Sequence, residues 1–346
     1  MSTPPTTAGF DDAAVELGEL PELSFDSTVP RQLVHKHAVE AVYVTDSAAL
    51  SETEFVCAAF LPRANTPTTR STSQRFCRYD LAMMIELGRQ AVFVVTHRHM
   101  GVPANYSTLL NSIGLELIDT SVVGRMASPS RVLIKVRGIS RTNARGRIVA
   151  GDFVMDVFEG ERHTARMTAT GSVAAPEKYK IARMVTREAL VAKPWETPEA
   201  LPCVAPGLVG RDRAASTLVS ALTAVDGSRQ FRGQMFVDSD DLFFFDHPID
   251  HVPGIVSIEA IRQAAVLAVS ELHPQLSPED VLVRSFSGDF SGFGEADLPL
   301  EVDVAVGEPV VEGYCTRIPI KASITQVGGS VVQASLELEY TPAQAA

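Results

Sequence analysis

The stretch "VSIEAIRQAAVLAV" (residues 256–269) sets a glutamate, an arginine and a glutamine into an otherwise almost wholly apolar run. "MMIELGRQAVFVV" (83–95) carries the same E-x-x-R-Q pattern. Glu86 and Glu259 lie 173 positions apart (259 − 86), which is half of the 346-residue chain. Residues at i, i+3 and i+4 share one face of a helix. Glu86, Arg89 and Gln90 therefore form one stripe, and Glu259, Arg262 and Gln263 another. Helices this apolar are too hydrophobic for a surface, so each needs a sheet of its own to wrap it.

The flanking sequence supplies those sheets. Before the first helix (about 80 to 98), "HAVEAVYVT" (37–45) and "TEFVCAAFL" (53–61) read as short strands, followed by a polar loop at 62–79. After it, 131–139, 147–160 and 161–174 alternate as antiparallel strands, with a hairpin at "EGE". The second half repeats the plan. A strand at 228–238 and a loop at 241–254 lead into a helix at about 254 to 272, and strands follow at 281–290, 299–306, 315–326 and 330–340. The expected fold class is α+β: two tandem hot-dog domains, each a long central helix wrapped by an antiparallel sheet, paired as an internal pseudo-dimer. Residues 1–28 read as a mobile tail, 29–190 as domain 1, 191–207 as a Pro-containing linker and 208–346 as domain 2.

Composition narrows the function. A net charge of −12 with no Lys/Arg-rich block argues against nucleic acid, and weakly against an anionic membrane. The four cysteines, Cys57, Cys77, Cys203 and Cys315, are scattered without a C-x-x-C or Cys/His cluster, so neither a metal nor a cofactor is expected. No secretory signal or spanning segment is evident, and the chain reads as cytoplasmic with reduced thiols.

A single E-x-x-R reads first as a structural ion pair. A polar stripe present on both apolar helices is better explained by a polar cavity. His97 and Ser270 continue the two stripes two turns on. The loops before the helices differ: "DHPIDHVPG" (246–254) offers His247 and His251 and opens the helix with Pro253 and Gly254. Its counterparts at an offset of 173 are Gln74, Arg78, Asp80 and Leu81, with neither histidine nor Pro-Gly. Each loop histidine has an equal claim as a hydrogen-bonded structural residue. Backbone N–H groups at Gly254 could polarise a carbonyl or hold an anion.

The loop and helix "FFFDHPIDHVPGIVSIEAIRQAA" resembles the signature of hot-dog hydroxyacyl-carrier-protein dehydratases. A closer resemblance is to the A-factor biosynthesis (AfsA-like) family of tandem hot-dog γ-butyrolactone and butenolide synthases. It is carried by "VPRQLVHKHAVEAVYVTD" (29–46), "IELGRQAVFVVTHRHMGVPANY" (85–106) and "DHVPGIVSIEAIRQAA" (250–265), and spans residues ~29 to 340. The chain departs from it before helix 1, where family members often have His-Pro and this sequence has "ANTPTT".

The resemblance implies transfer of a β-ketoacyl group from acyl carrier protein to a hydroxyl of dihydroxyacetone phosphate. It also implies that Glu86 and Arg262 carry the activity. If the halves pair as in the dehydratases, His247 and His251 meet Glu86, and Glu259 becomes the retired twin. Burial is expected to raise the Glu86 pKa and make it a general base. Arg262 offers a fork for a phosphate or enolate oxygen. Gly254 would polarise the thioester; Arg89, Gln90, Glu259 and Gln263 are candidate substrate-binding groups, the glutamines orienting either their neighbours or the thioester. Candidate basic docking patches for the acidic carrier protein are 97–99, 141–147 and 210–213. The oligomeric state is left open. Rival readings are a hydroxyacyl-thioester dehydratase or thioesterase, and a non-catalytic acyl-binding protein.

Overall fold

The computed structural model describes residues 16–62, 80–119, 130–196, 198–199, 201–225, 228–313 and 315–340. They fall into two compact units that divide between Ala182 and Arg183, with residues 80–82 clustering with the second.

In the first unit the central helix α1 runs Leu81–Val94 and widens into a π-helical turn at Val95–His99. Every residue of α1 is buried except Arg89, which is partly exposed. Six antiparallel strands are laid against it: β1 (Val44–Ala49), β2 (Glu54–Leu61), β3 (Ser107–Leu117), β4 (Ser130–Thr142), β5 (Ile148–Glu159) and β6 (Arg162–Ala174). Their order is β1-β2-β4-β5-β6-β3. Close approach of helix to sheet depends on Gly88. A Cβ there would fall 2.8 Å from Met167 Cε on β6 and 3.2 Å from Met155 Sδ on β5. Alternation of buried and half-buried residues along β4 is what a sheet with one covered face requires.

The second unit repeats the arrangement. Helix α2 (Pro176–Val191) leads into it, and the central helix α3 (Gly254–Leu272) is buried without interruption from Val256 to Val269. Strands β7 (Thr223–Ala224), β8 (Gln230–Met235), β9 (Val281–Phe290), β10 (Leu300–Val306), β11 (Val310–Glu312), β12 (Cys315–Gln326) and β13 (Gly329–Tyr340) follow. They order as β9-β13-β12-β10-β8-β7, with β11 on β12, and α3 crosses β8, β9, β10 and β12.

Several stretches differ from their sequence reading. "HAVEAVYVT" is not a strand until Val44; residues Val39–Ala41 form a 3-10 turn, because this segment's backbone is engaged by a helix side chain described below. β3 and α2 were not anticipated: the register of β3 shifts at Asn111, and α2 carries Ile181, Met184 and Val185 exposed instead of a clean polar face. The end of the supposed tail is packed. Ser24 N–H donates to Asp46 Oδ2 (3.0 Å), Thr45 Oγ1 donates to Ser24 O (2.9 Å), and Phe25 meets the Phe60 ring edge-on.

Candidate active site

On α1, the Glu86 carboxylate is 3% exposed and holds four donors. Arg89 gives it two bonds, Nε to Oε2 (2.7 Å) and Nη2 to Oε1 (2.8 Å). Gln90 Nε2 adds one at 2.8 Å, and the Lys36 ammonium lies 3.3 Å from Oε1. Arg89 Nη2 also donates to Val34 O (3.0 Å). Gln90 clamps the preceding chain, donating to Ala41 O (2.8 Å) and accepting from Tyr43 N–H (2.8 Å). That clamp grips the chain on both sides of Val42, just after the turn at Val39–Ala41.

The second unit rebuilds the same network. Arg262 Nε and Nη2 donate to Glu259 Oε2 (2.9 Å) and Oε1 (2.7 Å), and Nη2 also to Val209 O (2.8 Å). Gln263 Nε2 donates to Glu259 Oε1 and Ser216 O (both 2.7 Å), while its Oε1 accepts from Leu218 N–H (2.8 Å). Arg211 takes the place of Lys36, with Nε and Nη2 at 2.9 and 2.8 Å from Glu259. Its Nη1 lies 3.0 Å from Asp80 Oδ2.

These partners uncover a repeat that sequence reasoning missed. Val34, Lys36, Ala41 and Tyr43 correspond to Val209, Arg211, Ser216 and Leu218, each 175 residues on (209 − 34). A 3-10 turn precedes each cation, Arg31–Val34 and Pro206–Val209, and both turns close on a left-handed residue, His35 (φ 52°) and Gly210 (φ 66°). The legible signal is V-x-x-x-L-V at 29–34 and at 204–209. Its offset differs by two from that of the helices, so one alignment does not capture both.

Electrostatics correct one expectation. Burial pushes the Glu86 carboxyl up, but Arg89 and Lys36, with hydrogen bonds from Arg89 and Gln90, outweigh it and hold the pKa at about 2. Glu86 is a permanent carboxylate, not a base of raised pKa. Glu259 behaves alike: burial raises it, Arg211 and Arg262 overcome that, and its pKa lies at about 2. Gln90 and Gln263 are fully buried and engaged through both polar atoms, holding the preceding chain and the glutamate of each unit.

The units differ in access. The Arg89 side chain is 27% exposed and stacks over the Phe93 ring at 4.6 Å, whereas Arg262 is 8% exposed. Among the described residues Arg262 Nη1 has no hydrogen-bond partner, so one nitrogen of its fork is uncommitted.

His247 and His251 sit on the second unit's loop, Nδ1 paired to Asp246 (2.8 Å) and Asp250 (2.7 Å) respectively. Arg183 holds that loop by donating to Asp250 O (2.6 Å) and to both oxygens of buried Glu295 (2.7 and 3.0 Å). Pro253 caps α3, which begins at Gly254 as expected. Gln74 and Arg78 lie outside the described residues. Of the supposed docking patches, His97 and Arg211 are buried, whereas Arg98, which bonds Ser47 (3.1 Å), and Arg213 are exposed. The turn at 141–147 stays exposed. Among the described residues no His/Cys/Asp/Glu group could hold a metal, and no helix is long and apolar enough to cross a membrane.

Two buried helices, each wrapped by an antiparallel sheet and carrying the same polar triad, define a tandem hot-dog protein. The chain belongs to the AfsA family: the A-factor biosynthesis hotdog domain matches it twice, over residues 21–175 and 195–342. It is 30% identical to a 2-oxo-3-(phosphooxy)propyl 3-oxoalkanoate synthase of Streptomyces virginiae, over 79% of this chain and 85% of that one. It is 28% identical to a synthase of the same name from Streptomyces coelicolor, over 83% of this chain and 85% of that one. Among solved structures it is similar to one described as an oleoyl thioesterase from Lactobacillus plantarum, at 10% identity and a TM-score of 0.49, covering 83% of this chain and 97% of that one.

Proposed function

We propose that the chain esterifies dihydroxyacetone phosphate with a 3-oxoacyl group delivered as a thioester by acyl carrier protein, an early step toward a butenolide- or butyrolactone-type signal. The observation that carries this reading is the half-open Glu86–Arg89–Lys36 cluster on an otherwise apolar helix. Arg89 and Lys36 both meet the Glu86 carboxylate there, and the Arg89 side chain is partly exposed. A fork and an ammonium suit a phosphate monoester, and the apolar helix suits an acyl chain. The printed name of the relatives is that of this ester's synthase, which supports the reading. Glu86 fixes the geometry of Arg89 and Lys36. Arg262, with Nη1 uncommitted, is the second unit's candidate for an anionic oxygen. His247, His251 and Gly254 remain candidates for ordering the thioester, and the exposed turn at 141–147 for receiving the acidic carrier.

The test is incubation of the full chain with a 3-oxoacyl-carrier thioester and dihydroxyacetone phosphate, followed by mass spectrometry. The phosphorylated 3-oxoester is the expected product; free acid or an enoyl thioester in its place would reject the reading. Arg262→Lys keeps the charge but removes the fork. It is expected to lower kcat/KM for dihydroxyacetone phosphate by about tenfold to a hundredfold, as loss of a charged hydrogen bond of ~1.5–3 kcal/mol would. A steady-state titration of the phosphate substrate checks this.

A further inference from the structure

Two irregular pieces of backbone in the first unit meet at a serine and a histidine that the Glu86 cluster does not use. Val95–His99 is a π-helical turn, a form that is rare and gathers at functional sites. β1 carries a register shift between Val44 and Asp46, and a bulge of this kind re-aims the side chains beside it. The turn delivers His99 and the strand delivers Ser47, with Ser47 Oγ 2.9 Å from His99 Nε2. Arg98 Nη1 donates to the same hydroxyl (3.1 Å). Phe55, buried on β2, stacks on the His99 ring (centroids 5.4 Å apart, 28°) and fixes its plane. Ser47 and His99 are both partly exposed, so a small molecule can reach them.

The second unit does not repeat this group. At the helix offset of 173, Glu271 and Leu272 stand for Arg98 and His99; at the offset of 175, Leu222 stands for Ser47. The Glu–Arg–Gln triad recurs in both units and this group does not, so the shared fold does not require it. Hydrogen-bond chemistry sets the direction of the pair. A guanidinium only donates, so Ser47 Oγ accepts from Arg98. Its own hydrogen then has one acceptor among the described residues, His99 Nε2. Asp46 stands further off: its Oδ1 accepts from Ser47 N–H (2.8 Å) and is 3.9 Å from Arg98 Nη1. Burial, and then the Arg98 charge, hold the His99 pKa below the usual imidazole value, so the ring is neutral at pH 7. A hydroxyl that donates to a neutral imidazole while a cation faces its oxygen is an activated nucleophile.

We propose that Ser47 is a nucleophile toward small activated esters, with His99 as its general base and Arg98 as the cation that meets the developing oxyanion. Roughly 20 Å of helix separates His99 from Glu86, and the proposal is independent of the acyl-transfer reading. Ser47 Oγ bonds to the ester carbonyl carbon as His99 Nε2 takes the hydroxyl proton and the carbonyl π pair moves to oxygen. On collapse the ester C–O bond breaks, and the leaving oxygen takes the proton from His99. Water then adds to the acyl-serine by the same route, which releases the acid and restores the hydroxyl. The net change is hydrolysis, with water the only co-reactant.

Labelling of the full chain with phenylmethanesulfonyl fluoride, mapped by peptide mass spectrometry, tests this; attack there displaces fluoride in place of an alkoxide. One sulfonyl group on Ser47 is expected. His99→Gln keeps a hydrogen-bonding side chain beside Ser47 and is expected to slow the labelling about a hundredfold or more, the scale of a lost general base. Hydrolysis of p-nitrophenyl acetate should fall at least about tenfold in both Ser47→Ala and His99→Gln. No label on Ser47 in the folded wild type, or an unchanged labelling rate in folded His99→Gln, overturns the proposal. Long-range 15N–1H NMR of the wild-type chain needs no variant: His99 protonated at Nδ1 alone is expected. Hydrogen on Nε2 overturns the proposal even if His99→Gln does not fold.

Discussion

Glu259→Ala is expected to lower the melting temperature by about 10 °C, the larger of the stability effects anticipated here. Removing this carboxylate leaves Arg211 and Arg262, 4% and 7% exposed, without their shared anion. Asp80 offsets part of the Arg211 charge, and nothing replaces Glu259 for Arg262. Stranding one side of a buried ion network costs about 3–5 kcal/mol. At ~2–4 °C per kcal/mol for a unit of this size, that gives the stated shift. The sign with pH follows from the depressed pKa. The contribution of Glu259 is fully present above its unfolded value near 4.5 and is lost as pH falls through its folded value of about 2. Urea midpoints measured between pH 6 and 2 should therefore fall steeply below pH 4.5. Glu259→Gln should start lower and show a flatter acid limb. A variant as stable as wild type at pH 7 would refute the structural role.

The contrast between the two clusters explains what the sequence made legible. Apolar periodicity placed both helices, since a buried helix wrapped on all sides tolerates polar residues only where partners exist; Glu86 and Glu259 stand out for that reason. Alternation placed β4 to β6 and β9, β10, β12 and β13, whose covered and uncovered faces differ. Lys36 and Arg211 were not legible as site residues. Each lies in an irregular turn, where no periodicity marks which way a side chain points, and each reaches its glutamate across more than 45 residues of sequence. The pKa of Glu86 was misjudged because desolvation was weighed without the opposing charge of Arg89 on the same helix and of Lys36 from elsewhere in the chain. His35 was quoted inside a family-like run, but its left-handed backbone, shared with Gly210, is a property of the fold.

Glu86→Gln is expected to leave the chain folded and to lower kcat/KM for ester formation by about a hundredfold to a thousandfold, the scale of losing a preorganised electrostatic contact in a site. The substitution keeps the side chain's shape but removes its charge. An amide can accept through one oxygen only, so its NH2 would face either Arg89 Nε or Arg89 Nη2, donor against donor. Arg89, 27% exposed, can then swing toward solvent, which limits the stability loss to less than that of Glu259→Ala while dismantling the fork. Lys36, 8% exposed, loses the carboxylate that lies 3.3 Å from its ammonium. Single-turnover product analysis beside a thermal melt separates the two clusters. Lost ester formation in a folded Glu86→Gln, against lost stability in Glu259→Ala, assigns chemistry to the first unit and architecture to the second. Wild-type turnover in Glu86→Gln would remove Glu86 from the site, because no neighbouring carboxylate on α1 could stand in for it.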